Sequence, residues 1–347
     1  MKWRLAPGQA FEAERGRWRE LHARSAATPL LDADFIAPLL TEFGDGGEVL
    51  AWCDHDGRTV AMALLVRVSA ASWRTFQPPQ APLGPWLQEN GSDTAELLAA
   101  LLPALPGVAL LVALTQCDPA LLARPLPSSR LRGIDYIDTA AITLEGSFDA
   151  YWEGRGKNLR ANLKKQRARL AHGGITVRLQ VSRQAAEVAE AIEQYASLEG
   201  AGWKAGAGSA VGGAQARYYR AMLEAFCRRG AGCIYRYWFG TQLVAIDLCI
   251  EDGEQLIVLK TTYDEAAAAD GLSPALLMRE EALRALFDEG RLQRLEFYGR
   301  VMEWHTRWTK QVRTLYHVNY YRSGALALLH ARWQSRRAPP PEKTHVP

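Results

Sequence analysis

Gln255-Leu-Ile-Val-Leu-Lys-Thr-Thr-Tyr263, Asp264-Glu-Ala-Ala-Ala-Ala-Asp-Gly271, Leu272-Ser-Pro-Ala-Leu-Leu-Met-Arg-Glu-Glu-Ala-Leu-Arg-Ala-Leu-Phe287 and Leu292-Gln-Arg-Leu-Glu-Phe-Tyr298 follow one another closely. The order predicts strand, loop, helix, strand. Ser273 fits an N-cap and Pro274 the first helical position, where a missing N–H costs nothing. Asp288-Glu-Gly290 stops the helix, with Gly290 just past its end. A helix start that follows a strand offers free N–H groups to an anion. Leu272, Ser273, Pro274 and Ala275 are therefore expected to hold a pyrophosphate. The stretch closes on a polar and aromatic cluster, Gly299-Arg-Val-Met-Glu-Trp-His305 to Trp308.

Upstream, Ile175–Val181 alternates as a half-buried strand. Residues 184–199 and 214–227 read as helices around a glycine-rich segment, 200–213. A hairpin pairs 233–239 with 243–250, and a further strand covers 314–321. A terminal helix, 325–336, precedes a Pro-rich tail at 337–347, expected to be disordered. The second half thus reads β-α-α-β-β-β-α-β-α-β. The first half reads α-α-β-β-β-α-β-β, with strands at 48–53, 59–68, 73–76, 108–114 and 134–144. An internal duplication of fold, without a sequence repeat, accounts for both. One long helix, 148–172, connects them, ended by Gly173-Gly174.

A chain of 347 residues exceeds what one core usually organises, so two domains are expected. The boundaries expected are 1–147, a basic connecting helix at 148–174, 175–336, and the tail. A net charge of +3 is too small to imply a nucleic-acid partner by itself. Cys53, Cys117, Cys227, Cys233 and Cys249 are scattered, without metal spacing, and read as buried thiols of a cytoplasmic protein. No metal is expected. Met1-Lys-Trp-Arg-Leu-Ala-Pro-Gly8 lacks an apolar signal core, and no run reaches membrane-spanning length.

Several clusters resemble a known family. Phe148-Asp-Ala-Tyr-Trp152 with Lys157-Asn-Leu-Arg160 and Lys164–Leu170 is similar to the basic helix that opens the domain of GNAT-superfamily acetyltransferases of the CelD/BcsL type. Those proteins are associated with cellulose and exopolysaccharide biosynthesis and are relatives of the double-GNAT FemAB transferases. Leu198-Glu-Gly-Ala-Gly-Trp-Lys204 resembles the family's Trp-containing segment. Tyr263-Asp264 with Leu272-Ser-Pro274 resembles its phosphate loop. Glu296-Phe-Tyr-Gly299 with Trp304-His305 and Arg307-Trp-Thr309 resembles its acidic-aromatic cluster. Ala275 stands where the pattern usually has Gly, and His305 where it usually has Lys. The resemblance covers about residues 148–315. It implies a mixed α/β fold of two tandem GNAT-like domains and an acyltransferase using acetyl-CoA or another acyl-CoA. The acceptor implied is an amine or hydroxyl of a sugar or cell-envelope precursor. Some FemAB relatives use aminoacyl-tRNA, so a tRNA partner is the alternative, and a non-catalytic scaffold is a third.

Acyl transfer to an amine needs a base for the incoming proton and an acid for the leaving thiolate. Glu296, Tyr298, His305 and Asp264, at or just past strand ends, are the candidates. Each also has a structural reading, as a bonded phenol, a paired acid or a helix-surface ring. Trp203 and Lys204 either cover a core edge or, with Trp304, line the acceptor pocket. Lys157 and Arg160 are expected to turn toward the cleft from an otherwise solvated helix. Asp247, an acid in an apolar strand, is either paired inside the sheet or points into the cleft. No Walker, Rossmann or nucleophile-elbow motif is present.

Overall fold

The computed structural model describes residues 1–26, 28–201 and 213–337. The first half contains β1 (Lys2–Pro7), α1 (Arg15–His22), α2 (Ala33–Phe43), β2 (Val49–His55), β3 (Arg58–Ser69), β4 (Ser72–Thr75), β5 (Trp86–Gln88), α3 (Thr94–Leu101), β6 (Leu111–Cys117) and β7 (Leu131–Thr143). The second contains α4 (Phe148–Glu153), α5 (Lys157–His172), β8 (Val177–Ser182), α6 (Ala185–Ala201), α7 (Ala214–Arg228), β9 (Gly232–Phe239), β10 (Gln242–Glu251), β11 (Gln255–Tyr263), α8 (Glu265–Ala269), α9 (Pro274–Glu289), β12 (Arg294–Glu296), α10 (Glu303–Thr306), β13 (Gln311–Tyr321) and α11 (Gly324–Arg337).

All described strands join one sheet, ordered β1-β2-β3-β4-β6-β13-β7-β12-β11-β10-β9-β8, with β5 paired to β3. Read from either edge the order is the same: four consecutive strands, the strand after a helical crossover, then a central strand. The two parallel pairs, β4 with β6 and β11 with β12, occupy equivalent places. Parallel neighbours need such a crossover, and α3 and α9 supply it. β7 and β13 exchange sides at the centre. β13 runs antiparallel between β6 and β7, while the end of β7, Ala141–Thr143, pairs with β12. The last strand of the chain therefore lies among strands of the first half, across the boundary expected near residue 147.

Side-chain alternation divides the core between the two faces. On β10, Ile246, Leu248 and Ile250 join one cluster with Trp18, Phe35, Tyr195, Tyr218 and Phe226 from α1, α2, α6 and α7. This layer spans both halves: Phe35 of α2 meets the Tyr218 ring of α7 edge-on at 5.8 Å. Ala245 and Cys249 face the other way, with Leu163, Leu283, Leu286 and Trp308 around α5 and α9. A separate cluster on that face packs α3 against Val112, Tyr316 and Val318.

Several elements differ from expectation for local reasons. The connecting helix is two helices, broken at Gly154-Arg155-Gly156. Each interior glycine costs a helix about 1 kcal/mol relative to alanine, and two close together end it. The segment 264–271 is not all loop, because Asp264 caps the short α8. β1 carries no strand signature beyond Trp3, whose indole N–H donates to the Leu97 carbonyl at 3.1 Å and fastens the edge strand to α3. The tail from residue 338 lies outside the described residues.

Candidate active site

β11 and β12 pair only from Gln255↔Arg294 to Ile257↔Glu296. Beyond that they part, and a bulge explains why. Leu248 pairs with Lys260 while Cys249 pairs with Val258, so Leu259 is an extra residue on β11. An extra residue bends and twists its strand. On the other side, the chain after β12 turns through Tyr298 at φ 42°, a left-handed conformation rare for a bulky residue. Past the end of that pairing, against the far end of β11, lies a cavity of about 330 Å³. Thr261 and Tyr263 of β11, Leu272, Ser273, Ala275 and Arg279 at the start of α9, and Trp304 and Trp308 line it.

The start of α9 is built differently from a simple cap. Ser273 makes no side-chain cap bond. Its N–H donates to Gln166 Oε1 at 2.7 Å, and Gln166 Nε2 donates to Ser273 Oγ at 3.2 Å. Gln166, on α5, is 4% exposed. The N–H groups of Leu276 and Leu277 both donate to the Ser273 carbonyl at 3.0 Å, and Pro274 has none. The expected pyrophosphate donors are thus fewer than the sequence implies. The first turn of α9 carries no acidic residue, so the positive end of its dipole is not neutralised locally.

Beneath the cavity, Arg279 and Asp247 form a pair 2.6 Å apart, 3% and 0% exposed. Thr261 Oγ1 donates to Asp247 at 2.6 Å. Burial pushes the Asp247 carboxyl up, and Arg279 and Thr261 pull it down. The Arg279 guanidinium also lies over the Phe297 ring. Of the two readings of Asp247, the structure selects the internal pair. It gives the cavity a rigid, charged floor.

The four expected catalytic residues are not brought together. Leu295 and Phe297 face α9, so Glu296 and Tyr298 face the opposite side of the sheet. There Glu296 pairs with Arg294, and with Arg313 at 2.9 Å. Arg313 also pairs with Asp118 at 2.6 Å, and Tyr298 Oη donates to Asp118 at 2.7 Å. Burial raises the Glu296 carboxyl above its usual range, against Arg313 and Arg294. Burial would raise Asp118 as well, but Arg313, the Ala120 N–H and Tyr298 hold it low. These groups bind β6, β12 and β13 together and do not reach the cavity. Asp264 accepts from the Ala266 N–H at 2.8 Å and from Gln242 at 2.6 Å, as a cap of α8.

His305 sits behind the cavity wall, stacked on Trp304 at 3.5 Å and edge-on to Phe297 at 5.0 Å. Its Nδ1 accepts from the Met302 N–H at 2.9 Å. Burial pushes its pKa down to about 4. A neutral ring that accepts at Nδ1 carries its proton on Nε2, and here the Nδ1 lone pair is taken up by the Met302 N–H. One consequence is measurable. An unfolded chain binds this proton below about pH 6.5, and the folded chain only below about 4. Stability should therefore fall as pH drops from 6.5 to 4, by up to about 3 kcal/mol from this group. Urea midpoints of wild type and His305→Gln across that window should converge toward the acid end.

Lys157 is exposed, and Arg160 Nε donates to the Arg155 carbonyl at 3.2 Å. Neither lines the cavity. Trp304 does, while Trp203 and Lys204 lie outside the described residues. No motif in the sequence marks Thr261, Arg279 or Gln166 as site residues, and Tyr263 enters there only through the phosphate-loop resemblance. The parity of Thr261 and Tyr263 on β11 was the available signal. Nothing local marks Gln166, which is 107 positions from its partner.

The equivalent place in the first half is filled. The segment after β4 returns between the parallel strands, and the Gly84 N–H donates to the Thr115 carbonyl at 3.0 Å. A Cβ on Gly84 would overlap that carbonyl and Thr75 Oγ1. Asp93 caps α3 through the N–H groups of Ala95 and Glu96, and Glu96 adds an acid to its first turn. That helix start repels anions. Among the described residues, no group of His, Cys, Asp and Glu is arranged to hold a metal, and no helix is long and apolar enough to cross a membrane.

Residues 157–306 match the family model described as Acetyltransferase (GNAT) domain. No curated protein matches the sequence. Among solved structures, the chain is similar to the C-terminal domain of a protein assigned as a lysylphosphatidylglycerol synthetase from Agrobacterium fabrum. The TM-score is 0.56 at 14% identity, over 93% of this chain and 96% of that one. A conserved protein of unknown function from Bacteroides thetaiotaomicron gives 0.55 at 11%, over 88% and 97%. FemX gives 0.53 at 10%, over 95% and 99%. At these identities the likeness is one of fold. The palindromic sheet is a mixed α/β fold of two GNAT-like units, and residues 157–306 are a GNAT-type acetyltransferase domain, the acyltransferase part of this chain.

Proposed function

We propose that the cavity between β11, α9 and α10 takes acetyl-CoA or another acyl-CoA. The acyl group would pass to an amine or hydroxyl of a sugar or cell-envelope precursor, in a cytoplasmic setting of the CelD/BcsL kind. The observation that carries the reading is the cavity at the end of β11, past its pairing with β12, with the acid-free start of α9 at its mouth. Leu272, Ser273, Pro274 and Ala275 would meet the diphosphate, and Trp304 would flank the acyl arm. The edge of β11 past Ile257 would offer backbone N–H groups to the thioester carbonyl as negative charge develops there. Tyr263, 41% exposed and lining the cavity, is the hydroxyl placed to protonate the leaving thiolate. Among the described residues no carboxylate or imidazole lines this cavity, so the acceptor amine would attack in its neutral form. The C–N bond forms, the C–S bond breaks, and the amine's proton leaves to solvent. Calorimetry with acetyl-CoA tests this: micromolar binding is expected, and absence of binding to any acyl-CoA would refute it.

A second reading, transfer from aminoacyl-tRNA, is favoured by one observation. Lys157, Lys164, Lys165 and Arg169 are exposed along α5. A tRNA partner would bind with a steep salt dependence, which a gel-shift titration would detect.

A further inference from the structure

A second cavity, about 720 Å³, lies on the other side of α10. Trp304 and Trp308 face the first cavity, whereas Glu303, Arg307 and Lys310 face the second. Its opposite wall comes from the break between α4 and α5, with Arg155, Asn158 and Asn162. Arg155 is held in place from two sides. It donates to the Trp308 carbonyl, and its guanidinium lies 4.5 Å from the Tyr151 ring centre. Tyr151 Oη donates to the same carbonyl at 2.9 Å. A guanidinium fixed in this way loses little entropy when it meets an anion. The carboxylate in the cavity, Glu303, is 85% exposed and pairs with Arg307 at 2.8 Å, which leaves the charges of Arg155 and Lys310 in excess. Asn158 and Asn162 stand one turn apart on α5. The next position in that row is Gln166, which reaches Ser273 at the mouth of the first cavity.

We propose that this second cavity binds a phosphate-bearing group of one of the reactants, a phosphate ester or a diphosphate. Cationic side chains on two walls, with amide donors between them, suit its charge and its several acceptor oxygens. The row of amides places it beside the donor pocket, and in this the inference rests on the proposed acyl-CoA site. Two sources share the chemistry: the 3′-phosphate end of the donor, and a phosphorylated acceptor such as a nucleotide sugar.

Calorimetry of the full chain with coenzyme A, 3′-dephospho-coenzyme A and UDP-N-acetylglucosamine separates them. The Arg307→Glu/Lys310→Glu variant reverses two exposed charges and should lower the melting temperature only slightly, through the exposed Glu303–Arg307 pair that it breaks. It is expected to weaken coenzyme A or the nucleotide sugar about tenfold or more, with the loss shrinking at high salt. Weakening of coenzyme A but not of its dephospho form assigns the donor phosphate. Weakening of the nucleotide sugar alone assigns the acceptor. Equal affinities for all three in wild type and variant would overturn the proposal, as would no binding of any probe to wild type. Failure of coenzyme A to bind wild type, with the nucleotide sugar still bound and weakened, would overturn the acyl-CoA reading and leave the cavity assignment standing.

Discussion

Ser273→Asp is expected to reduce acetyl-CoA affinity by at least about 100-fold while leaving the fold as stable as before or slightly more so. The new carboxylate would stand at the start of α9, where the donor's diphosphate is proposed to lie. Two unit charges about 4 Å apart repel by roughly 4 kcal/mol at the effective dielectric of a protein surface, far more than a lost hydrogen bond. The same residue is a favourable N-cap and complements the helix dipole, so α9 should not suffer. Gln166 Nε2, which now donates to Ser273 Oγ, can donate to the carboxylate instead. Ser273→Ala removes only that hydroxyl and should change affinity little. Calorimetry and thermal unfolding of both variants check the pair of expectations. Undiminished acetyl-CoA binding by the aspartate variant would remove the donor from this site.

Arg313→Met is expected to destabilise the protein by about 3–5 kcal/mol at neutral pH, among the largest losses of any single side chain here. Arg313 is the shared cation between Asp118, on the turn after β6, and Glu296, at the end of β12. Both carboxylates are nearly inaccessible, at 2% exposure each. Without the guanidinium Asp118 would keep the Tyr298 hydroxyl and the Ala120 N–H, and Glu296 would keep Arg294, in a medium that solvates charge poorly. The deficit should narrow as pH falls and the two acids protonate, so urea midpoints of variant and wild type should approach each other at pH 5. A constant deficit across pH would mean that Arg313 acts through its packing alone.

Much of the region around the first cavity was legible from local chemistry. Gly290 ends α9 at φ 61°, with its N–H on the Leu286 carbonyl at 3.2 Å, as a glycine after a helix should. Pro274 opens that helix, and Ser273 and Ala275 line the cavity. The placement of the candidate acids and bases was not legible. Alternation places Glu296 and Tyr298 on the face opposite Leu295 and Phe297, but which face meets the first cavity depends on where α9 packs. His305 resembled a base by residue type, yet one backbone N–H, from Met302, decides which nitrogen holds its proton. The two-residue break at Gly154 and Gly156, which places Arg155 against Trp308, was hidden within an otherwise helical pattern.

The amino-acid sequence by itself determined most of the strands and helices, the ends of α9 at Pro274 and Gly290, and the crossover that makes β11 and β12 parallel. Those features depend on neighbours within a turn or two of the chain, where periodicity and Gly or Pro placement act. Only the tertiary structure decided that β7 and β13 exchange sides, that Asp118 and Glu296 share Arg313, and that Gln166 rests on Ser273. Each of these joins residues far apart in the chain, and a pairing of that kind is selected by the burial and charge compensation it completes.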